Sequence, residues 1–398
     1  NNIDVTNMKT SSIPANLGYF LTVFSILTFS FGYWQEYSVN SVNPPRSIIQ
    51  DTFVPIFYLL RNMLFLLYVA IFAIYCIILK MVPKLSPLIY ILAFMHYLMA
   101  LKIAYYGGSL SWGFLEGFVG IYIIGFFSAI VVKNINIYQI RIISKAAILL
   151  TVFFALLSID PSSFGMLARY QFHFGNPNMA GTGLVAIYCF YNIFCQPKNA
   201  LERFIFVVLT LLAFVLTIMT ASRTALSGLV LLFVLKSQKK ISLKFVFICV
   251  LMLALVILYV SISTDVWSGR DNRLVLWGKA FSASSYSIFF GSNYFLEKAS
   301  FEGFFVSLPY SLGLIGLILL GFFLLQLLKE ILSISKIRSS SKELQRCGHF
   351  LIVLSWMSCF ESIYFGVLTP TMIIFVFVLA WIAKERKSCV TEPFSGNL

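Results

Sequence analysis

Charge is what this chain of 398 residues has least of: Asp, Glu, Lys and Arg together supply 11% of it. That shortage excludes a soluble globule. With 60% of residues hydrophobic and a mean hydropathy of +0.90, a folded chain of this length cannot hide its apolar surface from water. Acid is scarcer than base, 15 Asp and Glu against 29 Lys and Arg. In a soluble protein the resulting charge of +14 would point to nucleic acid. In a membrane protein it has another origin, because cytoplasmic loops collect Lys and Arg, so no nucleic-acid partner is expected. Histidine occurs only 3 times, and none of the 7 cysteines forms a CxxC pair. Neither a metal centre nor a disulfide framework is indicated; no metal and no cofactor are expected. There is no internal repeat and no polar stretch long enough for a large soluble domain. The first residue is Asn1 rather than Met, so the natural start is expected to lie upstream, and no cleavable leader is expected before the first span.

What the chain has in abundance is apolar sequence in lengths that fit a bilayer. Aromatics reach 17%, with 41 Phe, which suits lipid-facing helices and interfacial belts. Hydrophobic runs of the ~20 residues a membrane demands predict about twelve spans, at 17–34, 57–79, 85–105, 110–132, 142–159, 178–195, 203–220, 222–236, 243–261, 305–328, 349–366 and 370–383. The whole of 1–398 reads as one all-α, polytopic membrane domain in contact with the lipid bilayer. Both termini are assigned to the cytoplasm, because that orientation puts twenty of the 29 basic residues inside, as the positive-inside rule requires. The outer side then holds three sizeable loops, near 35–52, 160–177 and 262–304, and loops of such length usually carry function. Within the third, Leu274, Val275, Trp277 and Phe281 fall at helical spacing and predict a short amphipathic helix on the membrane surface.

The residues that hydrophobic burial does not explain are the cations left on the outer side. Arg223 stands between two long apolar runs, Phe204 to Met219 and Leu226 to Leu235, where a guanidinium is costly unless it meets an anion or water. Ser222 and Thr224 flank it with hydroxyls, and no acid is adjacent. Arg169, Arg270 and Arg273 lie on the same side, as does Asp271. Each alone also fits a headgroup contact or a solvated loop face; together they point to an anionic substrate. His173 reads as a loop hydrogen-bonder or a proton acceptor. Asn176-Pro177-Asn178 reads first as a turn and helix cap, with amides also suited to sugar hydroxyls. Glu116, inside a span, reads as a partner for Arg61 or Lys102, and Lys102 as a side chain that snorkels from a helix end.

Four segments, in order, resemble the O-antigen polymerase and ligase superfamily. They are Phe174-Gly175-Asn176-Pro177-Asn178-Met179-Ala180, Thr220-Ala221-Ser222-Arg223, Ser268-Gly269-Arg270-Asp271 with Trp277 following, and Glu302 ahead of Leu312-Gly313-Leu314-Ile315-Gly316. The resemblance covers about Arg169 to Gly316 and the twelve-span layout. It implies a GT-C-like architecture and a metal-independent glycosyltransferase of the bacterial inner membrane, acting on undecaprenyl-diphosphate-linked sugars at the periplasmic face. Its partners would be those lipid-linked sugars and a chain-length regulator protein. By this resemblance Arg223 and Arg270 are the catalytic cations and Glu302 the candidate base. Arg169, His173, Asn176, Asn178, Ser222, Asp271 and Arg273 are the substrate-binding set. Ligases resemble one another in having a His where this chain has Glu302, followed here by Gly303 rather than Asn, which favours the polymerase. A ligase, and in another class a flippase or transporter of an anionic lipid-linked sugar, remain the alternatives.

Overall fold

The computed structural model of the protein describes residues 15–31, 48–78, 84–105, 111–159, 170–174, 176–237, 286–292, 303–336, 341–361, 363 and 369–391. The expected span 243–261, most of the loops 35–52 and 262–304, and the site candidates Arg169, Arg270, Asp271, Arg273 and Glu302 lie outside the described residues.

The described residues are overwhelmingly helical. The α-helices are α1 (Ala15–Thr28), α2 (Ile48–Ala73, continued by a π-helical turn at Ile74–Ile78), α3 (Pro87–Tyr105), α4 (Ser111–Asn134), α5 (Ile137–Leu157), α6 (Pro177–Phe194), α7 (Ala200–Met219) and α8 (Arg223–Ser237). After a small antiparallel hairpin, β1 (Tyr286–Ser287) and β2 (Gly291–Ser292), come α9 (Phe304–Lys336), α10 (Lys342–Ser358) and α11 (Pro370–Thr391). Among the described residues, six helices are long and apolar enough to cross a membrane, over Asp51–Ala73, Pro87–Tyr105, Leu115–Asn134, Ile137–Leu157, Ala200–Met219 and Phe304–Ile334. The protein is therefore a multi-pass, helical membrane protein in its described part.

Where boundaries differ from the hydropathy reading, side-chain chemistry accounts for several of the shifts. α5 begins five residues before the expected span because Asn136 and Gln139 form a capping box, each side chain bonded to the other's backbone N–H. α7 begins early in the same way: the Asn199 side chain accepts from Glu202 N at 2.7 Å. α10 starts at Lys342, behind a Ser341 cap whose hydroxyl accepts from Leu344 N at 3.2 Å. Polar first turns do not register as hydrophobic, yet caps satisfy the backbone donors there.

α6 is the axis of the assembly. It is buried nearly all round, as a helix apolar on every face must be. It packs against α5, α7, α8, α10 and α11. One end of the bundle is held by basic side chains. The Arg346 guanidinium donates to the carbonyls of Asn192 (2.8 Å) and Cys195 (3.0 Å) at the end of α6. The Lys384 ammonium does the same for Val132 (2.9 Å) and Ile135 (2.7 Å) at the end of α4. Cations there satisfy orphan carbonyls and complement the helix dipole. Arg141 pairs with Glu343 at 3.1 Å, which also accepts from Gln196 at 2.5 Å, and Arg386 pairs with Glu330 at 2.5 Å. These cations belong to the segments that the charge bias assigns to the cytoplasm.

Two expectations about intramembrane charge are corrected. Glu116 is exposed and does not pair with Lys102 or Arg61. Arg61 instead lies over the Tyr58 ring, 3.9 Å from its centroid, a favourable cation–π placement. Lys102 does not snorkel outward; its ammonium turns onto the backbone carbonyls of the hairpin and of α9.

Candidate functional site

The site expected around Arg223 lies at the opposite end of the bundle from the basic caps. α7 ends at Met219 and α8 starts at Arg223, so the reversal is made by Thr220, Ala221 and Ser222 alone. Such a tight turn needs special backbone geometry, and Ala221 adopts a left-handed conformation (φ 49°), uncommon and costly for a residue with a Cβ. Side-chain oxygens stitch it together: Ser222 N donates to Thr220 Oγ1 at 3.3 Å, and Ala225 N to Ser222 Oγ at 3.3 Å. Ser222 is thus the cap of α8, buried and committed to the backbone. The next side chain, Arg223, is exposed. A cation in the first turn opposes the positive end of the helix dipole, at a cost of about 0.3–1 kcal/mol. The helix dipole therefore gives no reason for an arginine at this position.

Residues 170–174 and 176–178 lie beside this turn. Tyr170 N donates to Met219 O at 3.0 Å, tying it to the end of α7. Phe172 also has positive φ, 50°, and Phe172–Phe174 form one 3-10 turn. Asn176 then caps α6, its side chain accepting from Asn178 N (2.8 Å) and Met179 N (3.3 Å), with Pro177 in the first turn. This is the arrangement that Asn-Pro-Asn predicts. Asn178 is largely buried. Contact between α6 and the turn depends on Gly181: a Cβ there would lie 2.7 Å from Ala225 Cβ, 2.8 Å from Ser222 Cβ and 2.9 Å from Thr220 Oγ1. Gly183 makes a similar allowance for the Phe174 ring, 2.6 Å from where its Cβ would be. Two of the four segments singled out in the sequence are therefore neighbours in space.

His173 lies within this junction, but inside it. The ring is fully buried, its Nε2 is 3.0 Å from Ser30 Oγ near the end of α1, and it packs among Phe31, Phe154 and Phe174. Burial pushes its pKa down to about 3, so the ring is neutral at any working pH and a feeble base. In this conformation His173 joins α1 to the junction and presents no nitrogen to solvent.

The described part of the stretch that follows Glu302 starts at Gly303, which has positive φ (114°). Phe304 N donates to Glu361 O at 3.3 Å, bringing the start of α9 to the chain leaving α10. α10 in turn lies on α8, where Trp356 Nε1 donates to Ser227 Oγ at 2.8 Å. Glu361 is a carboxylate residue only 9% exposed, in the stretch that docks the residue after Glu302–Gly303. A lone acid in an apolar run is a signal that the sequence itself carries. Among the described residues no three His, Cys, Asp or Glu side chains come together as a metal site would require. No family model and no curated protein matches this chain.

Proposed function

We propose that the protein is an O-antigen polymerase of the bacterial inner membrane. In this reading it is a metal-independent glycosyltransferase that joins undecaprenyl-diphosphate-linked repeat units at the periplasmic face. The observation that carries the reading is the junction at Arg223. An exposed arginine, opposed by the helix dipole, stands at the first turn of α8, near the start of α6, where the segment Phe174 to Ala180 marked by the same family resemblance lies.

The chemistry needs such a residue. An acceptor sugar hydroxyl attacks the anomeric carbon of the donor chain. The new glycosidic C–O bond forms as the C–O bond to the diphosphate breaks, and undecaprenyl diphosphate leaves with the bonding pair. Charge building on the departing diphosphate calls for donors that match its oxygens in pairs, which guanidinium forks do and ammonium groups do not. Arg223 and Arg270 take that role here, with Arg169 or Arg273 assisting. Glu302 accepts the proton of the attacking hydroxyl. Asn176 and Ser222 serve by capping α6 and α8, and Asn178 and Asp271 are left as the polar groups for sugar hydroxyls. His173 holds the junction to α1.

A transporter reading draws support from one feature, the break in α9 at Gly313, since transporters bind substrate at broken helices near the midplane. The break here is filled by the hairpin and by Lys102. Lys102 is three residues from the end of α3, about 4.5 Å along the axis, far from the middle of a bilayer. The polymerase reading is therefore preferred. The test is the lipopolysaccharide of a strain lacking the protein. Core carrying a single repeat unit supports a polymerase. Bare core with intact lipid-linked polymer would make it a ligase, and loss of all externally exposed repeat units would make it a transporter.

A further inference from the structure

The hairpin of residues 286–292 does not sit as a loop in water would. Its turn presents three large apolar side chains in a row, Ile288, Phe289 and Phe290, at 70%, 64% and 68% exposure. Its backbone, by contrast, is largely satisfied from within the protein. Tyr286 pairs with Ser292 and Ser287 with Gly291 across the ladder. Ile288 O accepts from Leu314 N at 2.8 Å, and Phe290 N donates to Ser287 Oγ at 3.4 Å. The carbonyls of Phe290 (2.5 Å) and Ser292 (3.0 Å) accept from Lys102 Nζ. Irregular backbone is tolerated at membrane depth only when its polar groups find partners in the protein.

The seat of the hairpin is the break in α9. Gly313 has φ 59° and ψ −136°, a conformation that glycine alone adopts readily. An unbroken helix would pair Leu314 N with Tyr310 O; here that donor goes to the hairpin instead. The carbonyl of Ser311, next to the break, is taken by the Lys102 ammonium. The fit leaves no room for a side chain: a Cβ on Gly313 would lie 2.5 Å from Gly291 N, and one on Gly291 (φ 72°) 2.5 Å from Tyr310 O. Tyr310 Oη donates to Ser292 Oγ at 2.8 Å and closes the seat. An ammonium has three donors, and Lys102 gives them to three carbonyls, two on the hairpin and one on α9. Next to the hairpin, α9 and α3 present exposed apolar side chains, Leu314, Ile315 and Leu317 on one, Leu101 and Tyr105 on the other.

We propose that residues 286–292 are a lipid-seated hairpin, with Ile288, Phe289 and Phe290 docked among the acyl chains of the leaflet at the C-terminal end of α3, and Lys102 the cation that locks it there. The tip continues the apolar surface of α3 and α9, and its backbone carries little unmet polarity into that surface. The inference stands whether or not the protein transfers sugars.

The test is a nitroxide spin label at Phe289→Cys in the full-length protein reconstituted in liposomes, with the signal of the parent chain subtracted. Accessibility to oxygen, which concentrates in lipid, is compared with accessibility to a water-soluble nickel chelate. A label at Leu317→Cys on α9 serves as the lipid reference. The expected result is several-fold greater oxygen than nickel accessibility at both positions. Adding Lys102→Met should reverse the ratio at 289 and leave 317 unchanged. Nickel exceeding oxygen at 289 in the otherwise native protein would overturn the lipid seat. An unchanged ratio at 289 with Lys102→Met would overturn the lock. If Lys102→Met does not accumulate, Lys102→Arg, which keeps the charge but not the compact three-donor fit, is read by the same two outcomes.

Discussion

Gly181→Ala should disturb the Arg223 junction without touching a charge or a polar group. The added methyl would lie 2.7 Å from Ala225 Cβ, and bringing that pair to ordinary contact at 3.4 Å requires roughly 0.7 Å of movement. Two of the three neighbours it meets are Cβ atoms of Ala225 and Ser222, which cannot rotate away, so α6 and the turn must separate. Overpacking of this kind costs about 1–3 kcal/mol. The purified protein should melt at lower temperature in detergent, and polymer made in cells should fall at matched expression because Arg223 is displaced. Ala225→Gly removes the nearest neighbour. Alone it should destabilise by up to about 1 kcal/mol through helix propensity. Combined with Gly181→Ala it should recover part of the loss, giving a favourable coupling on the order of 1 kcal/mol. A Gly181→Ala protein that melts and polymerises like the parent would refute the described packing of α6 on the Thr220–Ala225 turn.

Three further outcomes follow from the same physical reasoning. His173 has its pKa held near 3 by burial, below the unfolded value of about 6.5. The unfolded chain therefore binds the extra proton between those values, so stability is unaffected above about pH 6.5 and falls by roughly 1.4 kcal/mol per pH unit below it, down to about pH 3. Unfolding measured against pH should show a shallower acid slope in His173→Gln, and an identical slope would remove the buried, neutral histidine from the account. Glu343→Ala should strand the half-buried Arg141 and Gln196 and cost about 1–3 kcal/mol in thermal unfolding, whereas Lys145→Ala, at a solvent-facing pair, should leave melting unchanged because such pairs contribute little. Glu302→Gln should lower the polymerisation rate by about 10²- to 10⁴-fold if a carboxylate takes the hydroxyl proton, with lipid-linked substrate still bound; an undiminished rate would move the base elsewhere.

What could be read in the sequence was what depends on near neighbours. Asn176 and Pro177 announced the start of α6 because a cap and its first turn are three residues long. The expected spans 203–220 and 222–236 placed the end of α7 and the start of α8 to within one residue, because the turn between them is too short to blur the boundary. Hidden were the features whose partners are far away in sequence. Lys102 looked like a snorkelling side chain because the carbonyls it binds are 188 to 209 residues away. The hairpin at 286–292 has no strand pattern, since two-residue strands are too short to alternate. Its partner, the break at Gly313, lies in the fourth of the segments singled out, but nothing in that apolar stretch distinguishes a broken helix from a continuous one. His173 reads in the sequence as a loop hydrogen-bonder or proton acceptor, but its burial is not legible there, because Ser30, Phe31 and Phe154, which close around it, belong to other elements.

The most direct test of the central claim is polymerisation by the purified protein in liposomes supplied with undecaprenyl-diphosphate-linked repeat units, in excess EDTA. Chains several repeats long should form, at the same rate with or without chelator. Arg223→Ala should slow them by about 10²- to 10³-fold, the loss typical of removing one donor from a developing anion, and Arg223→Lys should recover little. Normal chains from Arg223→Ala, or activity that vanishes with chelator and returns with magnesium or manganese, would contradict that claim.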